Sequence, residues 1–152
     1  MRMTSRSEYA IRSLAYLVRA YEQDRYVPSG EIAHECEIPA KYLEQILGAL
    51  HTAGILDSKK GHNGGYRLRR PPERISLGDA LRSVDGALVD VPSWLDAGEG
   101  HEEFTGVRKI LLEVRQAVRS IVDRASLEVL AREDYTLEEE KAIAVLSSYR
   151  YI

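Results

Sequence analysis

Pro39-Ala40-Lys41-Tyr42-Leu43-Glu44-Gln45-Ile46-Leu47-Gly48-Ala49-Leu50-His51-Thr52, followed after Ala53-Gly54 by Ile55-Leu56-Asp57-Ser58-Lys59-Lys60-Gly61-His62-Asn63-Gly64-Gly65-Tyr66-Arg67-Leu68-Arg69-Arg70, decides the fold. At about 100° per residue, Leu43, Ile46, Leu47 and Leu50 gather on one side of a helix predicted from about Pro39 to Thr52, with Gly54 closing it. Lys41, Gln45, Gly48 and Thr52 fall on the other side, flanked near the helix start by Tyr42 and Glu44. That outward face is polar, small and lightly charged. A helix that merely faces water carries mixed Glu and Lys, whereas one lying in a DNA groove needs hydrogen-bonding tips and little bulk.

The second half of the stretch predicts strand, glycine-rich turn and strand, with Asn63-Gly64 as the signal of a tight hairpin turn. Alternation sets Tyr66 and Leu68 on one side and Arg67 and Arg69 on the other. Residues 58–74 carry Lys59, Lys60, Arg67, Arg69, Arg70 and Arg74 against Glu73 alone. A hairpin tipped by glycines and bordered by cations, directly after a helix-turn-helix, is a wing. Its glycines permit close approach to a sugar-phosphate backbone, and Lys60 or an arginine can reach the minor groove.

Upstream, Thr4 and Ser5 can cap a helix whose apolar face is Ala10, Leu14, Leu17, Val18 and Tyr21, ending before Pro28. Ser29 reads as the cap of a short helix burying Ile32 and Ala33, and Pro39 opens the next. Downstream, Pro71-Pro72 stops the strand and Ser76 with Asp79 starts a helix through Leu77, Ala80, Leu81 and Val84. Residues 86–104, with the acidic run from Asp96 to Glu103, read as a loop. From Thr105 a long helix repeats Val107, Leu111, Val114, Val118, Ile121 and Ala125 at spacings of four and three, widened by Ile110, Ala117 and Val122. So small a head leaves that stripe for a second copy of the chain, making Val107, Leu111, Val114, Val118 and Ile121 the expected dimerisation residues. Thr136 and Glu139 open a last helix.

The expected architecture is therefore mainly α with a small β-hairpin: a winged helix-turn-helix DNA-binding domain over residues 1–85, an acidic loop over 86–104, and a dimerisation helix with a C-terminal helix over 105–152. The net charge of −3 conceals a gradient, since residues 1–74 hold 12 Lys/Arg against 9 Asp/Glu while residues 75–152 hold 9 against 15. The basic half is the half expected to meet phosphates. No apolar run is long enough for a membrane span and no signal-peptide core opens the sequence, so a cytoplasmic protein is expected. The single cysteine, Cys36, can form no internal disulfide.

Catalytic signatures are missing: there is no G-x-S-x-G, no Walker lysine after the glycines at 61–65, and no H-E-x-x-H. His34, His51, His62 and His101 are scattered without ligand spacing, and His62 reads as a phosphate or groove contact. No enzyme, metal or cofactor is expected.

Tyr42-Leu43-Glu44-Gln45-Ile46-Leu47, Lys60-Gly61, Gly64-Gly65-Tyr66, Pro71-Pro72 and Ile75-Ser76-Leu77-Gly78-Asp79-Ala80-Leu81 occur in order and at the spacing of the IscR/CymR-type family of winged-helix regulators, which the chain resembles over nearly its whole length. The resemblance implies that the Tyr-Leu-Glu-Gln helix enters the major groove and the Gly-Gly-Tyr wing the minor groove. Tyr42, Glu44 and Gln45 then become base readers, and Lys41, Lys59, Lys60, His62, Asn63, Arg67 and Arg69 complete the expected DNA contacts. Iron-sulfur members carry three cysteines before the long helix, where Asp90 to Gly106 has none; Glu8, His34 and Cys36 make a poor cluster site.

What remains resembles the cluster-free branch that represses cysteine metabolism genes, in the acidic loop, in Ser126-Leu127-Glu128-Val129-Leu130 and in the final Tyr-Ile. That resemblance implies the cysteine synthase CysK (O-acetylserine sulfhydrylase) as a partner bound through Tyr151 and Ile152, whose competing account is packing against the long helix. The expected function is a dimeric repressor binding a double-stranded DNA operator. Its alternatives are a thiol redox-sensing regulator acting through Cys36 and a protein-interaction module without a DNA role.

Overall fold

The structure, a computed structural model, describes residues 3–93 and 104–131. Helix α1 (Ser5–Arg19) starts where expected: the Thr4 side chain accepts from the N–H groups of Arg6 and Ser7, and Ala10, Leu14, Leu17 and Val18 are buried. After a 3-10 turn (Tyr21–Gln23) come α2 (Ser29–Glu35), α3 (Ala40–Thr52), strands β1 (Leu56–Lys59) and β2 (Gly65–Leu68), α4 (Leu77–Asp85) and α5 (Thr105–Arg124). Ser29 is not the cap of α2. Pro28, extended at φ −58°, ψ 141°, takes that position, and its carbonyl accepts from Glu31 and Ile32.

Helices α2 and α3 stop by the same device. The N–H of Glu37 donates to His34 O (3.2 Å) and that of Ile38 to Ala33 O (2.9 Å); at the end of α3, Gly54 donates to His51 O (2.9 Å) and Ile55 to Leu50 O (3.0 Å). Each pair of bonds satisfies carbonyls that would otherwise be orphaned and requires a left-handed residue, here Glu37 (φ 53°) and Gly54 (φ 72°). Glycine adopts that conformation without penalty; glutamate does not.

The hairpin pairs Leu56 with Leu68, Asp57 with Arg67, Ser58 with Tyr66 and Lys59 with Gly65. Asn63-Gly64 is not the centre of a two-residue turn. The strands are joined across residues 60–64, where Gly64 N–H closes onto Gly61 O (2.9 Å) with His62 and Asn63 between them. Of the loop residues only Gly61 has positive φ, at 104°, so the left-handed pair of a two-residue Asn-Gly turn does not form. Val27 adds a one-residue third strand: its N–H donates to Tyr66 O (2.8 Å) and its carbonyl accepts from Tyr66 N–H (2.9 Å). That approach fixes Gly65, since a Cβ there would lie 2.1 Å from Val27 O.

One core joins α1, α3, α4 and the hairpin, and it includes Leu127 from the 3-10 turn Leu127–Ala131 after α5. Leu77 N–H donates to Ala125 O and Leu127 N–H to Ile75 O, so the chain leaving α5 returns to the head. Helix α4, capped by Ser76 as expected, meets α5 closely at Gly78, where a Cβ would lie 2.1 Å from Asp123 Oδ1. Arg82 bridges Asp79 (2.7 Å) and Asp123 (2.6 Å) beside that crossing. At the other end of α4, Asp85 accepts hydrogen bonds from the Thr4 and Ser7 hydroxyls, tying α4 to the start of α1. Burial opposes ionisation of Asp85, but those hydrogen bonds and the nearby Arg6 charge outweigh it and hold the carboxyl below the usual range.

Only Val122 of α5 is buried. Among the described residues no helix is long and apolar enough to cross a membrane. The acidic run and the expected last helix, with Tyr151 and Ile152, lie outside the described residues.

Candidate nucleic-acid interface

The face of α3 turned from the core is built as its periodicity predicts. Leu43, Ile46, Leu47 and Leu50 are at most 1% exposed, while Lys41, Tyr42, Glu44, Gln45 and Thr52 are exposed and Gly48 is half-buried. The left-handed turn at Glu37 links the end of α2 to the first turn of α3. Tyr42 stands 53% exposed there, its ring 6.4 Å from that of Tyr9 at a tilt of 49°. Tyr9 thereby joins the site, although the apolar period of α1, which picks out Ala10, Leu14, Leu17 and Val18, does not single it out. Lys41, Glu44 and Gln45 form no ion pair or side-chain hydrogen bond among the described residues, so their polar tips are available.

The wing divides the expected cations into two groups. Lys60, His62 and Asn63 are exposed in the connecting loop. Its tight path requires Gly64, where a Cβ would lie 2.3 Å from Lys59 O. Arg67, Arg69 and Lys59 are instead engaged. Arg67 meets Asp24 Oδ1 at 3.0 Å and Arg69 meets Asp57 Oδ1 at 2.9 Å. The guanidinium of Arg67 and the ammonium of Lys59 lie over the Tyr26 ring, 4.6 and 5.8 Å from its centre. Asp24 and Tyr26 were not expected here, because a one-residue strand at Val27 is too short to leave a pattern.

Behind the wing, Glu31 of α2 receives both terminal nitrogens of Arg25 (2.6 and 3.0 Å) and the Tyr16 hydroxyl (2.7 Å). Arg25 first, then Tyr16, hold the Glu31 carboxyl below the usual range, and Glu31 in turn raises Tyr16. This fixes α2 against α1 and against the segment leading to the wing.

The two other expected sites differ in character. Val107, Ile110, Val114 and Ile121 are 39–53% exposed along α5, Leu111 and Val118 are half-buried, and Val122 turns inward against α4. Cys36 closes α2, with Sγ 3.5 Å from Arg12 O. Burial pushes its thiol up, and the nearby Arg19 and Arg12 do not reverse the shift. A thiol shifted in that direction yields less thiolate, which opposes the reactivity a sensor needs.

The chain is similar to known proteins in both sequence and structure. The profile of the family described as Rrf2, iron-dependent transcriptional regulator, matches residues 3–133. The HTH-type transcriptional regulator CymR of Bacillus subtilis is 28% identical over 144 residues, 93% of this chain and 96% of that protein. The structure of CymR, the global cysteine regulator of B. subtilis, superposes with a TM-score of 0.71 at 26% identity, covering 86% of this chain and 96% of that one. The oxidised form of Staphylococcus aureus CymR gives 0.68 at 28% identity, covering 90% and 100%.

Proposed function

This chain belongs to the Rrf2 family of transcriptional regulators, and we propose that it acts as a homodimeric repressor of cysteine and sulfur metabolism genes. It is a DNA-binding regulator, not an enzyme. The observation that carries the finer reading is its likeness to CymR across nearly the full length of both chains, in a sequence with one cysteine.

In this reading the first turns of α3 lie in the major groove. Gln45 can pair with adenine through its amide, and Glu44 can accept from the cytosine amino group, while Lys41 meets phosphate and Tyr42 packs at the groove edge. Lys60, His62 and Asn63 at the wing loop face the minor groove or its phosphates. The exposed apolar stripe of α5 joins two protomers, so that two α3 helices address an inverted repeat.

The family description names iron, and the donors of this chain do not fit an iron-sulfur cluster. One partly buried thiol stands alone, and among the described residues no three His, Cys, Asp or Glu side chains gather as metal ligands. Protein purified without oxygen is expected to be colourless and free of iron. Cysteine synthase, bound through Tyr151 and Ile152, belongs to the same proposal; calorimetry with the enzyme should show binding that O-acetylserine competes away.

Genome-wide mapping of bound sites in the protein's own cell tests the central reading. Inverted repeats upstream of cysteine and sulfur genes, released from repression on deletion of the regulator, are expected. A bound set without such genes would overturn the cysteine assignment and leave the family assignment standing.

A further inference from the structure

The bridge between Val27 and Tyr66 has a consequence for side chains on the opposite face of the sheet. In an antiparallel pairing of Val27 with Tyr66, Tyr26 stands opposite Arg67, and Arg67 in turn stands opposite Asp57. Val27, Leu56 and Leu68 point into the core at 0–2% exposure, so Tyr26, Lys59, Arg67 and Arg69 share the outward face. Lys59 pairs with Gly65, which has no side chain, and the lysine can therefore lean across β2 to the Tyr26 ring.

We propose that Tyr26 is a positioning residue of the DNA interface: its ring carries the Arg67 guanidinium and the Lys59 ammonium on the outward face of the wing, ready for backbone phosphates. The proposal rests on the DNA-binding reading of the wing and adds a residue to it. Asp24 cannot supply the positioning, because its side chain is 89% exposed and an ion pair so wet is weak. The half-buried ring, held by the adjacent Val27 backbone bonds, is the fixed element. A phosphate can replace Asp24 as the anionic partner of Arg67 while the guanidinium stays on the ring, so little side-chain freedom remains to be lost on binding.

Phosphate contacts are independent of sequence, so a mixed-sequence DNA duplex serves as probe. Affinity is measured across a salt series for wild type, Tyr26→Phe and Tyr26→Leu, each also in a Lys59→Ala/Arg67→Ala background, with thermal melts to confirm folding. Tyr26→Phe keeps the ring and should keep both affinity and salt slope. Tyr26→Leu should bind about two- to five-fold more weakly, with a slope shallower by about 0.9 for each phosphate that is no longer neutralised. In the background lacking both cations it should have no further effect. Equal weakening in both backgrounds, or unchanged binding by Tyr26→Leu alongside salt-dependent binding by wild type, would overturn the role of Tyr26 only. Absence of salt-dependent binding by wild type would overturn the DNA reading with it. Tyr26→Met replaces the leucine variant if the latter melts below the assay temperature.

Discussion

Helices α3 and α5 are both amphipathic, and their apolar faces have opposite fates. The apolar residues of α3 are sealed in the head, with Ile46, Leu47 and Leu50 at 0% exposure, and what it offers outward is polar. Helix α5 buries Val122 alone and offers outward Val107, Ile110, Val114 and Ile121. In the proposed reading the difference separates two kinds of recognition. A polar, sparsely charged face on a rigidly packed helix suits base edges and phosphates, which exchange water for directed hydrogen bonds. An uncovered apolar stripe on a 20-residue helix suits another apolar surface, and a second copy supplies one by symmetry.

The largest expected effect breaks the α5 side. Val114→Glu with Ile121→Glu places charge on the exposed stripe without disturbing the crossing at Gly78, and should give a folded monomer in sedimentation. A monomer can engage only one half-site at a time, so operator binding should weaken at least about 100-fold. Leu111 and Val118 are poorer targets because they are half-buried within the protomer. The matching change on α3, Leu47→Ala, should cost about 2–5 kcal/mol of folding stability in denaturant melts. A wild-type monomer at micromolar concentration would remove the contrast.

The legibility of the two helices followed from length and period. Thirteen residues of α3 and twenty of α5 display enough turns for the apolar side to stand out. Single-residue features did not. Val27 as a strand, Tyr26 beneath the wing cations and Tyr9 beside Tyr42 depend on tertiary approach, and one residue carries no period. The glycine-rich turn around Asn63-Gly64 was legible as the hairpin's turn, but its span is set by tertiary approach. Turn chemistry permits a two-residue hairpin there, but pairing Tyr66 with both Val27 and Ser58 sets a register that ends at Lys59 and Gly65 and leaves five residues to close it. Arg67 and Arg69 alternated outward as expected, yet their carboxylate partners lay on another strand and in a corner at Asp24.

A smaller effect sharpens the comparison at the joint between α1 and α4. Asp85 receives the hydroxyls of Thr4 and Ser7, and its folded pKa lies below the unfolded aspartate value of about 3.9. The stabilisation is therefore complete above that value and disappears as pH falls through the folded pKa. Asp85→Asn should lower stability at neutral pH by about 1 kcal/mol and reduce the further loss between pH ~4 and the acid transition. Because the joint belongs to the head, dissociation of the proposed dimer at neutral pH should be unchanged. An equal loss of stability at pH 7 and at pH ~2.5 would show that Asp85 acts through packing rather than charge.

The smallest effect concerns the two turns that bracket α3. They share one hydrogen-bond pattern, but the left-handed position is glycine at 54 and glutamate at 37. A side chain in this region crowds its own carbonyl at a cost of about 1–2 kcal/mol, part of which glycine returns through its larger unfolded-state entropy. Glu37→Gly should therefore stabilise the chain by a net ~0.5–1 kcal/mol, raising the thermal midpoint by about 1–4 °C for a protein of this size. The Glu37 side chain is exposed and makes no ion pair among the described residues, so little is lost with it. Gly54→Ala is the opposite experiment and should destabilise by about 1 kcal/mol, since φ 72° is strained for alanine and its Cβ would meet Arg69 Nη1 at 3.3 Å. Both changes act on the frame that aims α3, and neither touches α5. If Glu37→Gly shifts the equilibrium of the proposed dimer as well as the melting point, the head and the α5 stripe are coupled, and their proposed separation into a DNA face and a dimer face fails at that turn.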